Sequence, residues 1–552
     1  MPETKYFVDD LINKAVILEV VGGQLKIDGP ASVLNDTTCD KLRRLKPKII
    51  DYIRLQEMPA VPEKSDIIAV SPNKAFPLSY TQLCFWFVYF ALGETANNLS
   101  RLMFKSRVKP ADLEKALHQL VRKYTIFNVS IGELVPVQRL KASPLPPLEV
   151  TELQAFDRVQ QNDMVSKDVT DLMRPFDISA PPLVRYHYYQ LTKDESLLVC
   201  CFPHIVLDGA AVHLFEQELI QALSNDAEVL KSEPDPLSHY ILAQRKIAKD
   251  VYAAQLAFWQ NSLAGFRRAQ FPANYINQQN KRYVDREIVI PEKFLAQVQQ
   301  CCVKKRVSMQ MVIIAIICQT IRSITAEQRL VVNSVMENRI SDDEEKLMAP
   351  ILYLLPTPVE MLSADNFNHT LDQIRKHNKI AQDNMDISFS VPQGIIAAER
   401  WRGINKPLAS MIKAISRMLS FLLPSAQLFP SYWSDYFLTE NPPFVTKNTS
   451  QLSAGTKEVY DPVININLLP NTYKHTHSQT DGSNNISSLS DKDRFLPKQS
   501  LDGDWEAGSI DFYVSKDSSD KLVFRVTCCC LNDSGIEKIE QELQQRMSEF
   551  VA

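Results

Sequence analysis

Phe202-Pro203-His204-Ile205-Val206-Leu207-Asp208-Gly209 is the stretch on which the architecture of this chain turns. The segment before it, Ser196 to Phe202, reads as a strand, and Gly209 opens a helix running through Leu214 to Leu223. A histidine and an aspartate four residues apart therefore stand at a strand-to-helix corner. An imidazole titrates near neutrality, so His204 can take a proton from an attacking nucleophile or hold that nucleophile by a hydrogen bond. A carboxylate buried at such a corner, as Asp208 would be, needs a partner, most simply an arginine. Gly209 would relax the backbone at the turn. By itself the pattern His-x-x-x-Asp-Gly is weak in a chain with nine histidines, where a satisfied core histidine is the bland alternative. Its weight comes from what surrounds it: Pro175-Phe176-Asp177-Ile178, then Pro182-Leu183-Val184-Arg185, then two strands, in one order.

With 552 residues, the chain is expected to hold two or three domains. Its hydrophobic share of 45% and charged share of 23% are those of an ordinary globular protein, and the net charge of −4 supplies no case for nucleic acid. No apolar run reaches the roughly 20 residues of a spanning helix, and the opening residues lack the basic-then-apolar order expected of a signal peptide. Ten cysteines include Cys200-Cys201, Cys301-Cys302 and Cys528-Cys529-Cys530. Adjacent cysteines on strand-like segments point to opposite faces, so the expectation is free thiols, no metal-ligand pattern and a cytoplasmic location.

Residues 1–57 read as a unit. Val8 to Asn13 looks helical, Ala15 to Val21 and Gln24 to Asp28 are strand-like around Gly22-Gly23, and Asp40 to Leu55 carries Leu42, Leu45, Ile49, Ile50 and Ile53 on one helical face. Residues 58–75, rich in proline, read as a linker. Beyond them helices and strands alternate, with Pro110 to Tyr124 amphipathic, Leu183 to Leu191 and Ser196 to Phe202 paired, Met309 to Ile321 a nearly all-apolar helix, and Leu330 to Val335 a buried strand. Two stacked α/β lobes, 76–250 and 251–552, follow from that alternation. Residues 400–438 carry an apolar stripe (Leu408, Met411, Ile412, Ile415, Met418, Leu419, Leu422) beside Lys406, Lys413 and Arg417, as a packed helix or a docking or membrane-surface helix would. Residues 474–492 are polar and read as a disordered loop.

The order of these segments resembles the condensation domains of nonribosomal peptide synthetases, within the wider His-x-x-x-Asp acyltransferase superfamily. The resemblance spans roughly residues 76 to 550. It includes Leu78-Ser79-Tyr80-Thr81-Gln82 followed by Trp86, the Pro-Phe-Asp and Pro-Leu-x-Arg segments, Val331 to Arg339, and the terminal strand and helix Gly508 to Met547. It implies two chloramphenicol-acetyltransferase-like lobes in a V, with a tunnel between them and His204 as the catalytic residue. Arg339 matches the arginine that pairs with the motif aspartate, which would leave Asp208, Gly209 and Arg339 as structural support. The pattern departs at Pro203, where the family has the first histidine of His-His-x-x-x-Asp-Gly. It departs also at Arg122 to Asn128, at Tyr353-Leu354-Leu355-Pro356 and at Gln382 to Phe389, as an unusual substrate or a loss of activity would allow.

The first unit resembles the small hairpin docking domains, of the TubC type, that precede some synthetase subunits and capture a partner segment by strand addition. Gly22, Gly23, Leu25, Lys26, Arg43 and Arg44 would form the docking surface, with Lys41, Lys46 and Lys48 suiting an acidic partner. There is no P-loop, G-x-S-x-G elbow, zinc motif, adenylation region or carrier-protein serine motif. The resemblance therefore implies a free-standing condensation enzyme that binds no cofactor itself. An acyl or peptidyl carrier protein would bring the phosphopantetheine thioester, and a small amine or alcohol would accept the acyl group. A coenzyme A-dependent acyltransferase and a catalytically dead recruitment module are the alternatives.

Overall fold

The computed structural model describes residues 17–21, 24–28, five positions between 38 and 46, and, with short interruptions, 75–396, 462–468, 486–488, 509–516 and 521–551. The chain divides into two compact units, Met1–Ile68 and Ala69–Ala552. In the first, strands β1 (Ile17–Val21) and β2 (Gln24–Asp28) pair antiparallel from Ile17 opposite Asp28 to Val21 opposite Gln24. The expected hairpin strands are thus present. Thr38, Lys41, Leu42, Leu45 and Lys46 are helical, with Leu42 and Leu45 buried at i, i+3 spacing. The helix expected at Val8 to Asn13, Gly22-Gly23, and most of the linker lie outside the described residues, as does the 400–438 stripe.

The second unit begins with β3 (Phe76–Pro77), a helix at Tyr80–Leu92, and β4 (Asn97–Phe104). The helix Pro110–Lys123 follows, with proline in its first turn, where a missing N–H costs nothing. It buries Leu113, Ala116, Leu117, Leu120 and Val121, the stripe that its sequence spacing marks out. Next come β5 (Val129–Ile131), β6 (Val137–Leu140), β7 (Glu149–Glu152), the helix Arg158–Leu172, β8 (Arg185–Gln190) and β9 (Ser196–Pro203). All eight residues of β9 are buried, because both of its faces are covered. Leu198, Cys200 and Phe202 pack with Leu117 and Phe215, while Leu197 and Val199 pack with Val165 and Val169.

After the helices Gly209–Ser224, Leu237–Gln244 and Lys249–Leu263, the second lobe is built from β10 (Val284–Val289), helices Glu292–Lys305 and Met309–Thr325, β11 (Arg329–Glu337) and β12 (Leu352–Glu360). The chain continues through the helix Phe367–Gln382, β13 (Val463–Leu468), β14 (Ile486–Ser488), β15 (Ser509–Lys516), β16 (Leu522–Cys528) and the helix Asp533–Val551, all but β14 belonging to the second lobe. The strand orders are β14-β4-β9-β8-β7 in the first lobe, β10-β16-β15-β13-β11-β12 in the second, and β3-β6-β5 in a small third sheet. This is a mixed α/β fold of two sheet-and-helix lobes. The helix Met309–Thr325 is buried almost throughout and packs on Leu330 and Val332, which is why no polar face is visible in its sequence.

Chain from the second half enters the first lobe twice. Leu347, Met348, Ala349 and Ile351 join the first lobe's core, and β14 pairs antiparallel with β4. That second crossing corrects the disordered loop expected over 474–492: residues 486–488 are strand, because the edge of β4 supplies backbone partners that local composition cannot reveal. The rest of that stretch lies outside the described residues. A further correction concerns Cys301 and Cys302, which lie in a helix rather than a strand. The described cysteines are free thiols, and burial pushes Cys201 up to about 12 and Cys200 above the usual thiol range. Among the described residues no single helix is long and apolar enough to cross a membrane.

The Ser79-x-x-Gln82 motif is a helix cap. The Ser79 hydroxyl accepts from the Gln82 N–H at 3.0 Å, and Gln82 Oε1 accepts from the Ser79 N–H at 2.9 Å, closing a reciprocal box at the start of Tyr80–Leu92. Gln82 also exchanges amide hydrogen bonds with buried Gln138, which holds Pro77 O in turn. Ser79→Ala should therefore lower stability by about 1 kcal/mol in urea titration. Gln82→Ala should cost more, because Gln138 loses its buried partner. Equal midpoints for wild type and both variants would contradict the cap.

Candidate active site

Strand β9 ends where its partners end. The His204 N–H donates to Ala96 O at 2.6 Å, so the nitrogen of residue 203 points away from β4, toward β8. There the pairing stops at Arg185 opposite Cys201. No acceptor in that ladder waits for an N–H at 203, which is why proline fits there. Pro203 O accepts from the N–H groups of Val206 (2.8 Å) and Leu207 (3.3 Å), and Asn98 Nδ2 donates to Leu207 O at 2.7 Å. The corner carrying His204 is thus held at both ends.

Asp208 is buried and completely engaged. Its Oδ1 accepts from the Ala211 N–H at 2.8 Å, capping the helix Gly209–Ser224, and from Arg339 Nη2 at 3.1 Å. Its Oδ2 accepts from the Ile351 N–H at 2.6 Å. The two side chains of the ion pair are 5% and 3% exposed. Arg339 distributes its remaining Nη donors over backbone: Nη1 to Glu344 O (2.6 Å) and Leu347 O (2.8 Å), Nη2 to Ala349 O (2.8 Å), while the buried Nε makes no hydrogen bond and has the Glu337 carboxylate 3.5 Å away. The structure therefore brings Asp208 and Arg339 together, and the pair ties the first lobe's corner to the segment between β11 and β12. Gly209 has a different place from the one expected. Its φ is not in the left-handed region, and an added Cβ would meet nothing within 4 Å. The corner does not require glycine, because Asp208 fixes the turn through its cap.

The imidazole of His204 is half-buried. Its Nδ1 is sealed from solvent without a hydrogen-bond partner, leaving Nε2 as the nitrogen that a nucleophile can reach. Burial holds the ring below its ordinary pKa, opposed by the Asp208 carboxylate and by its own backbone carbonyl, which lies close but outside bonding geometry. The phenyl ring of Phe85 stacks on the imidazole, with centroids 4.3 Å apart and planes 16° apart. Phe85 was not legible as a site residue, although it lies one helical turn beyond Gln82 in a segment singled out for other reasons.

Other motif segments are scaffolding. The Arg185 guanidinium sits 3.8 Å above the Phe176 ring and donates to Leu172 O, Arg174 O and Pro175 O, which explains the spacing of the Pro-Phe-Asp and Pro-Leu-x-Arg segments. Tyr353 packs with Trp259 and Phe389 in a cluster that also receives Cys84. Among the docking residues named above, Leu25 and Lys26 lie on β2, whereas Gly22, Gly23, Arg43 and Arg44 lie outside the described residues. No group of three potential metal ligands occurs among the described residues.

Comparison with known proteins gives a consistent answer. The family model for the condensation domain matches residues 73–409. Phosphinothricin tripeptide synthetase PhsC of Streptomyces viridochromogenes is 24% identical over 352 residues, covering 60% of this chain and 31% of that protein. A dimodular nonribosomal peptide synthase of Bacillus subtilis is 24% identical over 341 residues, covering 58% and 14%. The chain thus spans less than a third of the length of these relatives. The EpoB cyclization-docking bidomain from Sorangium cellulosum shares the fold with a TM-score of 0.63 at 14% identity, over 99% of this chain and 98% of that one. The SgcC5 protein from Streptomyces globisporus does so with a TM-score of 0.60 at 13% identity, over 86% and 98%.

Removing one member of the buried pair leaves an uncompensated charge. Arg339→Met should destabilise by about 3–5 kcal/mol, and combining it with Asp208→Asn should recover part of that loss in a double-mutant cycle by urea denaturation. Strict additivity of the two substitutions would contradict the coupling.

Proposed function

The chain belongs to the condensation-domain family, and from that premise we propose that it transfers an acyl group from a carrier-bound thioester to an amine or hydroxyl acceptor. The observation that carries this reading is the contrast between His204 and Asp208. Both carboxylate oxygens of Asp208 are occupied by Ala211, Arg339 and Ile351, so it is unavailable to accept a substrate proton. His204 keeps Nε2 uncommitted and is held neutral by burial. As the acceptor attacks the thioester carbonyl, its N–H or O–H proton passes to Nε2. The carbon–sulfur bond then breaks, and the departing thiolate takes a proton back. The thioester supplies the driving force, and the product is an amide or an ester.

The donor arrives on a partner carrier protein as its phosphopantetheine thioester, in a tunnel between the lobes. The hairpin β1–β2 is read as a docking domain: each of its two strands has a single partner among the described residues, and an outer edge is what strand addition uses. The alignment of the Sorangium bidomain, which is described as a cyclization-docking pair, along 99% of this chain supports the same assignment.

Intact-protein mass spectrometry of candidate acyl carriers, incubated with amine or alcohol acceptors, tests the reaction. Wild type should strip the acyl mass from one carrier and yield a product. His204→Ala should slow this by at least about 100-fold while its fold is retained. A base that must be neutral acts above its pKa, so kcat/KM should fall on the acid side with a midpoint below the ordinary histidine value of about 6.5. Unchanged turnover in the alanine variant would overturn the assignment.

A further inference from the structure

A histidine that works as a base usually has its second nitrogen fixed by a hydrogen bond, which sets both tautomer and ring plane. In His204 that nitrogen is buried and makes no well-formed hydrogen bond, having only the residue's own carbonyl beside it, and Asp208, whose field acts on the ring, bonds elsewhere. What meets the imidazole squarely is the face of Phe85. That ring is itself well anchored. Its helix is capped by Ser79 and Gln82, Trp86 Nε1 donates to Gly132 O at 2.6 Å, and the Thr81 hydroxyl donates to Leu352 O at 3.1 Å in the second lobe.

We propose that Phe85 is a positioning residue for acyl transfer, holding the plane of the His204 imidazole by face-to-face stacking and stabilising the positive charge the ring acquires when it takes the acceptor's proton. The inference rests on the acyl-transfer reading above. Its physical basis is the phenyl quadrupole. The ring face is negative, so an imidazolium stacked on it is favoured over a neutral imidazole. An aliphatic side chain of similar volume would fill the space and exclude water, yet it would offer no such face. Positioning and charge stabilisation are thus supplied by one contact on the face of the ring, beside the weaker help of its own carbonyl and the Asp208 field.

The test is a titration of the full-length protein carrying [13Cε1]histidine, with the His204 resonance assigned by its loss in His204→Gln. Phe85→Leu removes the ring, and replacement of Phe85 by pentafluorophenylalanine keeps the shape while inverting the charge of the face. The expected result is a His204 midpoint lower by about half a unit in Phe85→Leu and lower still in the fluorinated protein. With a carrier-bound thioester that wild type consumes, kcat should fall about three- to tenfold in Phe85→Leu, with KM unchanged. A midpoint unmoved in the fluorinated protein would overturn the proposal, even if the leucine variant failed to fold. The titration needs no substrate, so loss of the acyl-transfer reading would register separately, in the carrier assay.

Discussion

The ion pair between Asp208 and Arg339 is the constraint on which the site depends. Two charges removed from water are expensive, and such a pair is tolerated only when nearly every remaining donor and acceptor is matched. Here the matching groups come from distant parts of the chain: the Ala211 N–H in the first lobe, and the Ile351 N–H with the carbonyls of Glu344, Leu347 and Ala349 in the segment between β11 and β12. The pair therefore acts as a geometric lock. It can form only when the first lobe's strand-to-helix corner and the second lobe's connecting segment are both in place, so the energetic cost is converted into a unique arrangement of the loop that bears His204.

His204 shows the opposite economy. Where Asp208 has both oxygens engaged, the imidazole has one nitrogen sealed without a well-formed hydrogen bond and the other available. Burial disfavours its charged form, which keeps a lone pair ready at neutral pH, while Asp208 limits how far that depression goes. The aspartate thus has two effects on chemistry at a distance: it fixes the corner, and its field moderates the base.

Much of this was legible in the sequence where local pattern and tertiary environment agree. Leu113, Ala116, Leu117, Leu120 and Val121 announce their helix because one face is buried and the other wet, and the need of Asp208 for an arginine follows from the cost of burying a carboxylate, although Arg339 itself was named by the family resemblance. Legibility ends where partners come from far away. Strand β14 is polar and short, and it is a strand only because β4 has an open edge. Cys301-Cys302 gave no local sign of helix, since a pair of small residues fits either period. Gly209 suggested a strained turn, but the cap made by its neighbour Asp208 does the fixing. Phe85 was hidden because stacking across two elements leaves no spacing rule in either one.

These cases separate two kinds of motif residue. Ser79 and Gln82 close a cap, Arg185 clamps the turn at residues 172–175, and Asp208 with Arg339 locks the corner. None of these side chains presents a free group to a substrate, and each overdetermines a stretch of backbone near the imidazole. That division explains how the chain accommodates Pro203 immediately before His204. Position 203 sits at the end of a strand with its nitrogen facing no ladder partner, so the proline leaves the backbone path to His204 intact. Sequence drift at this site is constrained by hydrogen-bond geometry at the neighbouring residues, and tolerated wherever that geometry makes no demand.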